Sequence, residues 1–500
     1  MARTHSRRLI CAGLAFALPL VLAAELQGCT ELESDPTPRF NFPVDAQDED
    51  AVVVMRDQYV PPFDSGVDAP LDAPLDADAD AGPIVVRAIA TGSGEQPDAL
   101  VGNGDHTCVI VGPARGVYCW GANDHGQIGN GKTGAADAGA VTFTEDVTAA
   151  VRIAFDETGL PFEGLEEISL AAWHSCARKG DVSFCWGQRF TGAQAEPPAA
   201  VNLDRTAPRA IGNFDVARIG AGGPHTCALK TNGKIACFGH SAFNELGRPN
   251  AADPLCTAPI FYNYHATANH QCVGTLVEVA FGALTKTTSV VSGEVHSCAL
   301  ADGKVHCWGA SASGELGRPG AAPAELNAQT VVTDPTLLTA LDGVTALAND
   351  GAKHTCGLRA NGVVCWGLND VGQLGADPVA LPLRGFAGAP ITGTAGATAI
   401  GVAERVSCAV KSDATVVCWG ADLAALGDGG IGSSFVPVAV KGPLGVGVLS
   451  NVVAVAPGVR HACALKTDST VWCWGKNDRG QLGNGTKVDS AYPVKVTGLP

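Results

Sequence analysis

The sequence predicts an all-β fold, a seven-bladed β-propeller with a disulfide inside each blade, preceded by a signal peptide and a disordered acidic linker. Three observations carry this. One phrase with a pair of cysteines recurs seven times between residues 106 and 475. Inside a copy, apolar and polar residues alternate with period two, the mark of a strand. Successive first cysteines lie 68, 51, 71, 58, 52 and 55 residues apart, a spacing that suits four short strands per unit.

Composition agrees with a large folded core. Hydrophobic residues make up 46% of the chain and charged residues 17%, with 62 Gly and 30 Pro for the many turns a repeat array needs. The formal net charge is −17. No basic stripe is present to neutralise phosphates, which argues against nucleic-acid binding and against electrostatic attraction to an anionic membrane.

The N-terminus reads as an address. Arg3, Arg7 and Arg8 precede an apolar stretch from Leu9 to Ala24, too short for an ordinary membrane span. It ends in Leu26-Gln27-Gly28-Cys29, which resembles the lipobox of bacterial lipoproteins, although Gln27 stands where a small residue is usual. Residues 1–28 are therefore expected to be a lipoprotein signal peptide and Cys29 the lipidated residue. That places the chain in the cell envelope, on the outer membrane, or outside the cell if Cys29 stays unmodified. Residues 29–83 are expected to form a tether. Between 30 and 83, fourteen Asp and Glu face two Arg, and the run of Asp, Ala and Pro from Asp64 to Gly82 has too little apolar surface to offset its ordering entropy. Mutual repulsion should keep it extended.

The propeller is assigned to 84–500. Its phrase reads His-Thr-Cys-Val from His106, His-Ser-Cys-Ala from His174, His-Thr-Cys-Ala from His225 and His-Ser-Cys-Ala from His296. It returns as His-Thr-Cys-Gly from His354, Val-Ser-Cys-Ala from Val406 and His-Ala-Cys-Ala from His461. A second cysteine follows nine to eleven residues later and opens Cys-Trp-Gly, or Cys-Phe-Gly at Cys237. Several copies continue into Gly-Gln-Leu-Gly or a relative, as from Gly126, Gly314, Gly372 and Gly480. Each phrase reads as a β-hairpin. Asp302-Gly303 sits midway in its copy and supplies the positive φ of a tight turn. No hairpin can cover both its faces alone, so copies stack side by side. Pro493-Val-Lys-Val496 matches Val436-Pro-Val-Ala-Val440, and this final strand is expected to complete the first blade and so close the ring.

These residues resemble the repeat of the regulator of chromosome condensation family, His-Ser/Thr-x-Ala-Leu…Trp-Gly…Gly-Gln-Leu-Gly, over about residues 84–500. The resemblance implies a seven-bladed propeller. Departures are the missing Gly-Gln-Leu-Gly after blade two, Phe238 in blade three and Val406 in blade six. Nuclear members catalyse nucleotide exchange on a small GTPase, but no exchange residue can be placed here by motif, and that activity is not carried over.

Of 18 cysteines, Cys11 leaves with the signal and Cys29 takes lipid. The remaining even set, at repeated spacing in an exported chain, reads as disulfides: Cys108–Cys119, Cys176–Cys185, Cys227–Cys237, Cys298–Cys307, Cys356–Cys365, Cys408–Cys418 and Cys463–Cys473, with Cys256–Cys272 as an eighth. Zinc is the rival, but each blade offers three ligands where a tetrahedral site needs four. The six repeated His are read as structural residues bonding neighbouring backbone, and the repeated Trp as packing between blades. Gly126-Gln-Ile-Gly-Asn-Gly-Lys132-Thr133 matches a phosphate loop literally. It lacks the strand-then-helix setting that chemistry requires. The glycine fingerprint at Gly427–Gly432 fails likewise. No catalytic residue, metal or cofactor is assigned.

Function is therefore sought in loops that break the repeat. The excess in blade three, clamped by Cys256 and Cys272, carries Phe261, Tyr262, Tyr264, His265 and His270 as a candidate binding loop. Rigid aromatic rings give contact area at low entropic cost. The other excess, 131–170, contains Phe143, Phe155 and Phe162 and is expected to cover the ring. The sequence points to a monomeric scaffold for an unknown protein or glycan, with protein docking or adhesion first, carbohydrate or cell-wall binding second and a hydrolase third.

Overall fold

The computed structural model describes residues 86–91, 106–111 and 114–500, the latter apart from 133–145, 172, 189–203, 214, 250–252, 254, 257–269, 281–283, 285, 322 and 422–424. The signal segment, Cys29 and the acidic run lie outside the described residues.

The described strands form seven antiparallel sheets, each built from one continuous stretch of chain. Blade one comprises Val86–Thr91, His106–Val111, Gly116–Gly121 and Val147–Ile153. Blade two comprises Glu167–Leu170, His174–Lys179, Val182–Gly187 and Arg205–Asn213. Blade three comprises Val216–Ala221, His225–Lys230, Ile235–His240 and His270–Glu278, with Leu255–Cys256 as a fifth strand on its edge. Blade four runs through Thr287–Ser292, His296–Ala301, Lys304–Ala310 and Ala324–Thr330, and blade five through Val344–Ala348, His354–Arg359, Gly362–Leu368 and Leu383–Arg384. Blade six holds Ala397–Ala403, Val406–Lys411, Val416–Gly420 and Ser434–Ala439. Blade seven holds Val452–Pro457, His461–Lys466, Val471–Gly475 and Ser490–Lys495. The first strands of neighbouring blades pack on one another around the ring, so they form its inner wall.

Each repeated phrase is the central hairpin of a blade. Its cysteines face each other directly, as in Cys298 opposite Cys307, with Cα atoms 4.1 Å apart. That is the close approach of a non-hydrogen-bonded pair. Turn chemistry explains the variable spacing. In the nine-residue copy at Cys298, Asp302 and Gly303 both take positive φ, 50° and 72°, a two-residue turn matched to strand twist. In the ten-residue copies the extra residue goes left-handed at Gly233, Ala414 and Ser469. A three-residue loop thus restores the register of the cysteines. The glycine after each tryptophan is required by contact: a Cβ on Gly420 would come within 2.2 Å of the Arg405 carbonyl oxygen, at φ 112°.

The hydrophobic core lies between blades. Ile110, Val117 and Ile153 of blade one pack with Leu170, Phe184 and Trp186 of blade two, and Phe162 from the connection fills the gap. The ring of Phe162 meets Phe184 and Trp186 edge-on at 5.2 and 5.8 Å. Phe155 of the same connection is exposed, so of that segment's two described Phe only Phe162 is buried; Phe143 lies outside the described residues.

Closure differs from the expectation. Ser490–Lys495 pairs with Val471–Gly475 as the outer strand of blade seven and does not enter blade one. Its likeness to Val436–Val440 is real, because both segments follow their hairpins as outer strands. The ring shuts by packing of complete sheets: Val109 and Trp120 of blade one share a core with Leu465, Leu482 and Val496 of blade seven. Main-chain bonds from Ala150 to Thr497 and from Gly485 to Thr148 join the two blades.

Candidate functional site

The repeated polar residues meet at the blade interfaces. His106 Nε2 lies 2.9 Å from Ser175 Oγ of the next blade, and the same bond recurs from His174 to Thr226 and from His225 to Ser297. It recurs again from His296 to Thr355, His354 to Ser407 and His461 to Thr107. The hydroxyls of Ser175 and Ser407 in turn donate to the main-chain carbonyls of Gln127 and Gln373. Because the hydroxyl proton is committed there, the imidazole Nε2 carries the proton it gives to the hydroxyl oxygen. Each of these His thus meets a side-chain hydroxyl of the next blade, and His354 also bonds the Glu404 backbone.

The same carbonyls receive the tryptophans. Trp186 Nε1 donates to Gln127 O at 2.8 Å and Trp419 Nε1 to Gln373 O at 2.9 Å. Trp120, Trp308, Trp366 and Trp474 bond Gln481, Glu245, Glu315 and Ala425 in the same way. All six indoles are fully buried. Burial holds His174, His296 and His354 down to about 3 and His225 to about 4, so these rings are neutral at ordinary pH.

One departure from the repeat falls in a facing pair. Val406 replaces a His, and its neighbour across the interface, Ala462, replaces the Ser or Thr; both are buried in one apolar cluster. There the polar group lost on one side is matched by loss of its partner on the other, so neither leaves an unsatisfied buried atom. Phe238, which has no N–H to donate, stands buried where other blades carry Trp.

The glutamine of the third phrase is a turn brace. The side-chain oxygens of Gln127, Gln373 and Gln481 accept the main-chain N–H two residues earlier. Glu245 and Glu315 do the same from Phe243 and Ser313. Glu245 also takes His240 Nδ1 at 2.6 Å, while burial pushes Glu315 up to about 7. The literal phosphate-loop match from Gly126 is part of this turn, with Gly129 lying against the Trp186 indole.

Seven of the expected disulfides are formed, one per blade. Cys272 is disulfide-bonded and buried; the side chain of Cys256 lies outside the described residues. Cys256 pairs in the sheet with His270 and Leu255 with Gln271, which brings the two feet of the blade-three insertion together at the outer edge. Phe261, Tyr262, Tyr264 and His265, and the side chain of His270, lie outside the described residues.

Charged residues at the rim went unnoticed in the sequence. Arg479 of blade seven bonds both Asp146, at 2.8 Å, and Asp124 of blade one, and Lys487 reaches Asp146 at 2.6 Å. Arg384 of blade five is half-buried, and among the described residues no acid pairs with it; burial lowers its pKa. Its ladder position is that of Arg205 in blade two, a correspondence that aligning the copies would have exposed.

Models of the regulator of chromosome condensation (RCC1) repeat match residues 468–500 and residues 351–373 and 452–481. The chain is 25% identical over 355 residues to the ultraviolet-B receptor UVR8 of Arabidopsis thaliana, covering 69% of this chain and 72% of that protein. It is 28% identical over 332 residues to the human E3 ubiquitin-protein ligase HERC2, covering 65% of this chain but 6% of that much longer protein. The structure of yeast RCC1 (Prp20) with Kap60 superposes with a TM-score of 0.58 at 18% identity, over 76% of this chain and 83% of that one. With seven copies of the phrase each folded as one blade, the chain is similar in repeat and fold to proteins built from regulator of chromosome condensation repeats.

Proposed function

We propose that this chain is an envelope-anchored propeller that serves as a protein-binding or adhesion scaffold, held by lipid on Cys29 and spaced from the membrane by residues 30–83. The carrying observation is the commitment of the repeat's own polar side chains to the ring. Six His, their hydroxyl partners and six Trp are engaged between blades. What varies from copy to copy is the connections and rim, which a rigid ring displays. One superposed structure, described as Kap60 bound to yeast RCC1, supports the binding reading. On this reading the chain has no cofactor and no catalytic residue.

Affinity capture from envelope extracts, run beside a glycan array, tests it. Retention of a specific protein and no glycan signal is expected. Glycan binding without protein capture would replace the scaffold with a carbohydrate-binding propeller. Mass spectrometry of the purified protein should find acyl chains on Cys29; a free N-terminal segment preceding an unmodified Cys29 would remove the anchor.

A further inference from the structure

Arg384 lies in the outer strand of blade five, opposite Gly367. At the same ladder position in blade two, opposite Gly187, stands Arg205. Arg205 Nη1 is 3.0 Å from Glu157 Oε2, a carboxylate supplied by the connection from blade one. The connection from blade four carries two acids, and both are engaged elsewhere. Asp334 accepts the N–H groups of Thr336 and Leu337, and Asp342 pairs with Arg359 at 3.2 Å. Among the described residues nothing bonds the Arg384 guanidinium, and only its burial acts on it.

The group is nevertheless housed. The guanidinium lies over Gly388, where a Cβ would come within 2.2 Å of Nη1 and the side chain would have to shift, and Gly314 of blade four packs on the adjoining backbone. Leu383, which precedes Arg384 in the strand, and Val379 of the turn before are exposed, at 44% and 91%. The outer strand is only two residues long and faces Gly367 and Leu368. Cys365 therefore lacks the outer-strand neighbour that Cys119, Cys185, Cys237, Cys307, Cys418 and Cys473 each have. A half-desolvated guanidinium with no counter-charge is costly, and a planar fork is built to take a carboxylate in two bonds.

We propose that Arg384 is the receptor for a carboxylate on an extended acidic segment of a protein partner, whose aliphatic neighbours rest on Val379 and Leu383. This rests on the scaffold reading and names the chemistry of its partner. The probe is a fluorescent peptide, Leu-Asp-Leu-Asp-Leu, compared with Leu-Asn-Leu-Asn-Leu on the purified full chain. The acidic peptide should bind, the amide peptide at least tenfold more weakly, and Arg384→Gln should erase that preference while Arg384→Lys keeps part of it. Phenylglyoxal labelling of the unmutated protein gives a readout independent of folding of the variant: Arg384 should be protected by the acidic peptide only. Equal binding of the two peptides, or an unchanged preference in Arg384→Gln, overturns the proposal. So does tighter peptide binding when Asp72, Asp76, Asp78 and Asp80 are changed to Asn, which would make the chain's own acidic run the occupant. Envelope capture unaffected by Arg384→Gln would remove Arg384 and leave the scaffold standing. Peptide binding at Arg384 with no protein captured would do the reverse.

Discussion

His461 Nε2 stands 2.8 Å from Oγ1 of Thr107, a residue 354 positions earlier in the chain. The last blade thus meets the first through the same bond as at five other interfaces, and closure needs no special strand.

Removing the hydroxyl tests that bond. Thr107→Val leaves the buried Nε2 of His461 without its hydroxyl partner, and is expected to cost about 1–3 kcal/mol in denaturant unfolding under non-reducing conditions. A change below a few tenths of a kcal/mol would show that this side-chain bond contributes nothing to holding the joint.

The apolar pair at the sixth interface gives a complementary test. Val406→His should destabilise, since Ala462 cannot answer it. Adding Ala462→Ser should recover a coupling energy of roughly 1–2 kcal/mol in a double-mutant cycle. Strict additivity of the two changes would contradict the facing-pair account.

Arg479 is expected to be the costliest rim residue. Arg479→Met leaves Asp124 and Asp146, whose side chains are only 5% and 4% exposed, with Lys487 as the remaining cation. Breaking such a buried pair costs on the order of 3–5 kcal/mol. Limited proteolysis should then cut first near the joint between blades seven and one, and a wild-type digestion pattern would speak against this.

Acidification should weaken the fold. An unfolded His takes its proton near pH 6.5, whereas the folded rings of His174, His296 and His354 wait until about 3 and that of His225 until about 4. Between these limits the unfolded chain binds more protons, so this stability is present above 6.5 and is lost as pH falls through the window. Glu315 and Asp350, pushed up to about 7, act in the opposite sense by protonating first in the folded state. Four imidazoles against two carboxyls leave a net loss, so the Tm should fall from pH 7 to pH 4.5 and Glu315→Gln should steepen the fall. A flat Tm profile would refute the neutral buried ring.

The blades were legible because each hairpin carries its own signals: alternation, a turn dipeptide and two cysteines in register. The phase of the repeat was not. A period shows how long a unit is but not where it begins, so Pro493–Val496 was assigned to the next blade, although it closes its own. Interfaces were equally hidden. That Val406 answers Ala462 emerges only when the two are known to face each other across a gap of 56 residues. Arg384 could be judged only in space, since an unmatched charge is defined by what stands around it.

The seven described sulfur bridges each stay within one hairpin, so each of these links is made between residues that are already neighbours along the chain. Oxidation can proceed module by module as the polypeptide emerges, with little chance of scrambled pairing. The final joint, by contrast, is wholly non-covalent. An oxidised molecule could come apart at that seam and anneal again without any thiol chemistry, much as a bracelet of soldered links is fastened by a clasp.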